Sequence, residues 1–264
     1  MKKEVRIVKK VSSLLSKIGC PRFLHYFGPK KYKFVEHAVA LLLKETLKCS
    51  FRRISSILYQ LDVRVPSYSA LCKSRKRIPM WIWNNLLKIT AGETSGMIAI
   101  DGTGFSRTNP SFHYVKRINA KKPVKRYAKL SALFDLVKKK FTALKIRIKP
   151  RHDMMDVKSL LYRVTKIKKL FGDSAYDAES LHEHCYWKKI QTITKPKKNV
   201  RRGGFRKMQM KNYSKKEYHQ RSLIESGFGS LKRKYGGSVL AKKGKGVKTE
   251  IYCKAIAHNI GLLN

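Results

Sequence analysis

Three acidic residues stand where chemistry is easiest to build. Asp101 follows the apolar run Met97-Ile98-Ala99-Ile100 and precedes Gly102, which leaves room beside its carboxylate. Asp173 follows Leu170-Phe171-Gly172 and precedes the small pair Ser174-Ala175. Carboxylates at strand ends project into one crevice at the edge of a sheet, where ligands of open α/β sheets bind. The third acid, Glu225, ends the run Tyr218-His219-Gln220-Arg221-Ser222-Leu223-Ile224-Glu225, which continues to Lys232. On one helix at about 100° per residue, Tyr218 lies about 20° to one side of Glu225, Arg221 about 40° to the other and Lys232 about 20° off. The four therefore form one stripe. Such a stripe also reads as a surface ion pair four residues apart, and a single Asp after a strand as a turn former. Three converging carboxylates repel and raise one another's pKa unless a cation lies among them.

The composition makes such a cluster conspicuous. Of 264 residues, 61 are Lys or Arg and only 16 are Asp or Glu, a formal net charge of +45. A hydrophobic fraction of 42% excludes a disordered basic tail. So large an excess of like charge weakens the compact state unless a polyanion is near, and nucleic acid is the polyanion that fits. Residues 1–90 hold 20 basic against 4 acidic side chains and residues 91–264 hold 41 against 12, so no single tail carries the charge. No run of about 18 uncharged apolar residues is present, as a membrane span would need, and no apolar signal core follows the first residues. The five cysteines are odd in number and contain no C-x-x-C pair. A reducing cytoplasm and no membrane partner are expected. His182, His184 and Cys185 lack a fourth ligand nearby and read as helix surface rather than a metal site.

The elements that must position the acids follow from periodicity. Residues 1–92 read as a helical region with a possible helix-turn-helix over about 50–78: helices at about 50–60 and 67–78 flank Asp62-Val63-Arg64-Val65-Pro66. Lys73, Arg75 and Lys76 on the second helix suit a reader of the major groove, and a plain bundle with a solvated basic face is the other reading. Residues 93–264 read as strands near 97–100, 130–137 and 141–148, a helix at 156–169, a strand at 170–172, a helix at 177–187 and a strand at 190–194. A mobile basic loop, 195–216, follows, with Arg201 and Arg202 as phosphate contacts, then helices at 215–234 and 247–262. This order is mixed α/β and resembles a ribonuclease-H-like sheet rather than a doubly wound one. Asp156 and Asp177 read as helix caps, His152 and Asp153 as residues lining the crevice, and Trp187 as a packing residue at a helix end.

The spacing Tyr, two residues, Arg, three residues, Glu, six residues, Lys is the signature of DDE transposases of prokaryotic insertion sequences, which this chain resembles over roughly residues 35–264. Tyr218, Arg221, Glu225 and Lys232 match every defined position. Asp101-Gly102-Thr103 looks like the family's first Asp motif. Asp173-Ser174-Ala175-Tyr176 looks like the second, with Ser174 and Ala175 in place of a basic residue and a glycine. The resemblance implies a ribonuclease-H-like catalytic domain preceded by an all-helical DNA-binding region. It implies Asp101, Asp173 and Glu225 as catalytic residues holding two Mg²⁺ ions, with Mn²⁺ as a substitute, and Arg221, Lys232 and Tyr218 on the DNA. The implied reaction frees a 3′-OH at a transposon end by hydrolysis and then transfers it into target DNA. The implied partners are double-stranded DNA, as terminal inverted repeats and target, and a second copy in a homodimer, in a prokaryotic cytoplasm at the nucleoid. A transposase-derived DNA-binding protein that does not cut and a ribonuclease-H-like nuclease without strand transfer are the alternatives.

Overall fold

A computed structural model describes residues 3–25, 27, 30–107, 127–149, 151–197, 203–211 and 213–261. It divides into two compact units. One holds the described residues of 1–90 together with Arg107 and 231–261; the other holds 91–106 and 127–230. No helix among the described residues is long and apolar enough to cross a membrane.

The first unit is helical: α1 (Lys3–Lys17), α2 (Phe34–Thr46), α3 (Phe51–Gln60), α4 (Tyr68–Arg77) and α5 (Met80–Ala91). Ser50 and Ser67 cap α3 and α4 by accepting from the Arg53 and Ala70 N–H groups, which ends each connecting turn where a Ser N-cap should. The C-terminal helix, Gly244–Gly261, belongs to this unit and is buried nearly throughout. This departs from the division expected after residue 92. Read alone, that helix looks half polar, but its polar side chains are paired inward. Lys254 meets Glu45 at 3.2 Å and Glu250 accepts from the Leu240 and Ala241 N–H groups. The Tyr252 hydroxyl donates to Asn84 at 2.6 Å. Pairing of this kind is what makes charge in a core tolerable.

The second unit is a mixed sheet: β1 (Met97–Arg107), β2 (Tyr127–Asp135), β3 (Lys140–Arg147), β4 (Lys169–Gly172) and β5 (Gln191–Thr194), in the order β3-β2-β1-β4-β5. The first three pair antiparallel, while β4 and β5 run parallel to β1. That is the mixed α/β arrangement expected of a ribonuclease-H-like sheet. Two helices of this unit are α6 (Met154–Leu161) and α7 (Glu179–Trp187). Their Val157, Leu160, Leu161, Leu181 and Cys185 pack with Ile98, Ile100, Leu133 and Ala143 in one core. The other face carries Phe134 and Phe141, with ring centroids 5.0 Å apart. α6 is shorter than the helix expected over 156–169. It stops at Leu161; Lys166 takes a positive φ of 60°, and the Lys168 and Lys169 N–H groups donate to the Gly96 carbonyl, which starts β4 instead.

The stretch expected as a loop contains helix α8 (Gly204–Met210), and the Asp177 expected as a helix cap is its clasp. Glu179 accepts from the Phe205 and Arg206 N–H groups at 2.8 and 3.1 Å, satisfying donors that a helix start leaves orphaned. The buried Asp177 carboxylate accepts from Arg206 Nε and Nη2 at 2.8 and 2.9 Å, from the Lys197 N–H at 2.8 Å and from His182 at 2.9 Å. Burial alone would push the Asp177 carboxyl up, but these donors outweigh it and hold it below the usual carboxylate range. A carboxyl depressed in the folded state contributes stability that is present above its unfolded pKa and is lost as pH falls through the folded one. Asp177→Asn is therefore expected to cost about 3–5 kcal/mol at pH 7. In urea melts its deficit against the wild type should shrink as pH is lowered beneath the ordinary carboxylate range; a pH-independent deficit would contradict the charge assignment.

Candidate active site

β1 runs through Asp101 rather than ending at it. Asp101 pairs with Ala132 of β2, and the strand continues to Arg107. β4 pairs with β1 only at Met97–Ala99 and stops at Gly172, so Asp173 emerges beside the middle of β1. Its Oδ1 accepts from the Ala175 N–H at 2.8 Å, capping the short 3-10 turn Ser174–Tyr176. The mid-strand position was not legible because the apolar run stops at Ile100; here Gly102 and Gly104 are strand residues too. The space that Gly102 opens is filled. A Cβ there would lie 2.9 Å from Asp153 Oδ1. Lys129 holds that carboxylate at 2.7 Å.

The helix bearing the third acid is not continuous over 215–234. It comprises α9 (Lys215–Tyr218), a 3-10 turn (His219–Arg221) and α10 (Ser222–Tyr235). The Ser222 hydroxyl donates back to the His219 carbonyl at 2.8 Å, the kind of local bond that competes with the α-helical ladder. Lys169 of β4 grips both oxygens of Glu217 at 2.8 and 2.9 Å, pinning α9 to the sheet. The N-terminal part of α10 lies on the Phe134 face: a Cβ on Gly227 would meet the Phe134 ring at 2.7 Å, and Phe228 stacks on Phe141 at 5.7 Å.

These elements bring Asp101 and Glu225 onto a shared cation. Arg221 Nη2 donates to Asp101 Oδ2 at 2.9 Å and Nη1 donates to Glu225 Oε1 at 2.7 Å. Asp101 also accepts from the Gly102 N–H at 2.7 Å. Burial pushes the Asp101 carboxyl up, the charges of Asp173 and Glu225 push it further, and the Gly102 N–H and Arg221 only partly offset them. Tyr218 joins the group through a hydrogen bond to Arg221, and burial raises its hydroxyl pKa. Asp101, Asp173, Glu225, Arg221 and Tyr218 are thus neighbours in one unit.

As these side chains stand, no three His, Cys, Asp or Glu groups among the described residues are gathered closely enough to hold one ion. The donor set nonetheless fits a hard divalent cation. Its ligands are carboxylate oxygens, which suit Mg²⁺ better than nitrogen or sulfur, and the Arg221 guanidinium already stands as a positive charge between two of them. His182 is no ligand: it is buried between Asp177 and Thr192, and Cys185 lies in the core.

Of the remaining predicted residues, some belong to the helical unit and some lie beyond the description. Lys232 lies on α10 in the portion that belongs to the helical unit, where burial lowers its pKa. Lys73 and Lys76 are exposed on α4. Arg75 turns inward, 3.7 Å from Glu250 and over the Phe51 ring at 5.1 Å, so its cation is already engaged within the unit. Arg201 and Arg202 lie outside the described residues. Trp187, expected to pack, is 71% exposed and touches Tyr186 and Phe205. Tyr176 entered the sequence reading only as part of the second Asp motif; here it is buried, and its hydroxyl has no hydrogen-bond partner among the described residues.

Because Gly227 lies two residues beyond Glu225, its contact with Phe134 sets how closely the acid's helix approaches the sheet. Gly227→Ala overpacks that contact and is expected to cost about 1–3 kcal/mol, read as a lowered Tm with the far-UV spectrum unchanged.

Residues 93–260 match the model of a family described as "Transposase DDE domain". Among solved structures the chain is similar to "Crystal structure of a pre-cleavage Mos1 transpososome", at 11% identity and a TM-score of 0.25, covering 90% of this chain and 80% of that one. No protein of curated function matches the sequence.

Proposed function

The chain belongs to the transposase DDE domain family, and from that premise we propose that it is an active transposase, cutting DNA at transposon ends and joining the freed 3′-OH to target DNA. The observation that supports this most is the Arg221 bridge between Asp101 and Glu225 with Asp173 alongside. Asp101 and Glu225 share one guanidinium, and Asp173 follows the strand that pairs beside β1.

Asp101, Asp173 and Glu225 would hold two Mg²⁺ ions. Divalent metal pairs of this kind activate the attacking oxygen and relieve charge on the leaving one in an in-line displacement. The chain's own residues do the positioning. Asp101 is fixed on β1 by the Gly102 N–H, and Asp173 is fixed by the turn it caps. Glu225 is carried on a helix whose approach depends on Gly227. Arg221 is a planar fork that can exchange a carboxylate partner for phosphate oxygens, and Lys232 is a point charge further along the same helix. The exposed Lys73 and Lys76 of α4 would meet the DNA backbone or groove, and a second copy would bring the second end.

Two measurements test this reading. Purified protein with labelled end DNA, Mg²⁺ and a target plasmid should give strand-transfer product, and Asp101→Ala and Glu225→Ala should abolish it while DNA binding persists. Product that survives either change would refute the assignment, and binding without product in the wild type would favour the non-cutting alternative. Affinity for end DNA should fall by about three orders of magnitude between 50 and 200 mM salt, as expected for six or more phosphate contacts; a flat dependence would contradict an electrostatic interface.

A further inference from the structure

The two halves of α4 are sharply divided. Tyr68, Ser69, Lys73, Lys76 and Arg77 are all exposed, and at about 100° per residue they cover one arc of about 180°. The opposite arc holds the buried Leu71 and Ser74. Neither α3 nor α4 carries an acid, whereas a merely solvated helix face usually mixes the two signs. Beside the first turn of α4 stand the exposed Arg52 and Arg53 of α3, and the Arg52 guanidinium lies over the Tyr68 ring at 5.0 Å.

Within the run Lys73-Ser74-Arg75-Lys76-Arg77 one cation points the other way. Three residues of the C-terminal helix, spaced three and four apart so that they share a face, hold Arg75. Glu250 lies 3.7 Å from its guanidinium, the Thr249 hydroxyl donates to its carbonyl at 3.0 Å, and a Cβ on Gly246 would lie 3.3 Å from its Nε. The guanidinium also covers the Phe51 ring of α3 at 5.1 Å, and its Nε is buried with no hydrogen-bond partner among the described residues. An apolar side chain would fill this seam without burying a charge, so stability alone does not account for the ion pair. What the pair fixes is the setting of α4 against α3 and the C-terminal helix. A helix that reads base edges needs such fixing, because binding contacts tolerate errors of only about 0.5 Å.

We propose that α4 is a sequence reader for duplex DNA and that Arg75 is its positioning residue, seating it on the C-terminal helix. Ser69 and Lys73, in the N-terminal part of the exposed arc, meet base edges in the major groove, as that part of a recognition helix does. A lysine there selects guanine through O6 and N7. Lys76, Arg77, Arg52 and Arg53 meet phosphates. The inference rests on the transposase reading for the choice of duplex, and it needs neither metal nor cleavage.

Binding of the full chain without metal is measured by fluorescence anisotropy over a range of salt. One duplex carries the inverted repeat that flanks the coding sequence, and the other is the same duplex scrambled. Lys73→Gln should lower the ratio of the two affinities about tenfold. Lys76→Gln should weaken both duplexes alike and reduce the salt slope by about one. Arg75→Met should lower the ratio about tenfold yet leave the salt slope unchanged, because its guanidinium faces the protein. Thr249→Val loosens the same seat without removing a charge and should lower the ratio in the same direction, which keeps the test open if Arg75→Met fails to fold. A ratio within twofold of wild type in Lys73→Gln overturns the reader. A salt slope reduced by about one in Arg75→Met, or an unchanged ratio in Thr249→Val, overturns the positioning role. If the wild type binds both duplexes alike, the reading of the chain as an end-binding protein is refuted, and the inference with it. A wild type that discriminates but gives no strand-transfer product refutes only the catalytic reading and leaves the reader standing.

Discussion

Like charge repels, and the sheet unit brings two carboxylates, Asp101 and Glu225, onto one cation. Asp101 is half-buried on β1, Asp173 follows the end of β4, and Glu225 comes down on a helix from the sheet's other side. Folding cannot bring two carboxylates together in a low-dielectric setting without a counter-cation. Arg221 supplies one from within the chain. Its planar fork reaches Asp101 with one amine and Glu225 with the other, a geometry a lysine could not reproduce. The bridge joins a strand to a helix, so the same contact that relieves the repulsion also helps fix α10 on the sheet.

Several acids away from this centre are engaged in the interior. Asp177 binds Arg206, His182 and the Lys197 backbone, Glu179 starts α8, and Asp156 takes Arg147 and Ser131. In the helical unit Glu45 and Glu250 are buried beside Lys254 and Arg75. With 16 acids to 61 basic residues, these buried carboxylates act as internal ties, while Asp62, Glu93 and Glu183 lie on the surface. Such a distribution keeps the field around the molecule attractive to a polyanion while still supplying the compact state with ion pairs where screening is weakest.

Much of this was legible in the chain itself. The strands over residues 170–172 and 190–194 have sharp stops: a glycine-aspartate step at one and a lysine-proline step at the other. In the helical pair Phe51–Gln60 and Tyr68–Arg77 the break between the helices is marked by Pro66 and the cap Ser67. What was not legible depends on partners distant in sequence. Nothing near Asp177 announces that Arg206 will reach it from 29 residues away, so a cap was the natural local reading. Arg75 looks like a groove-facing cation until Glu250 is placed opposite it. Gly102 reads as leaving room beside Asp101, and the position of Asp153 shows that room filled. The stripe of Tyr218, Arg221 and Glu225 was drawn on an ideal helix. The 3-10 turn at His219–Arg221 alters its angles but leaves the Arg221–Glu225 contact intact.

The burial of Gly244–Gly261 in the helical unit makes that unit a product of distant contacts. Glu45, Asn84 and Thr90 find partners on that helix, and the residues of the sheet unit lie between them in the sequence. Closing contacts so far apart in sequence carries a loop-closure entropy that contacts between neighbouring helices do not, so the seam of the helical unit is its most costly contact to form.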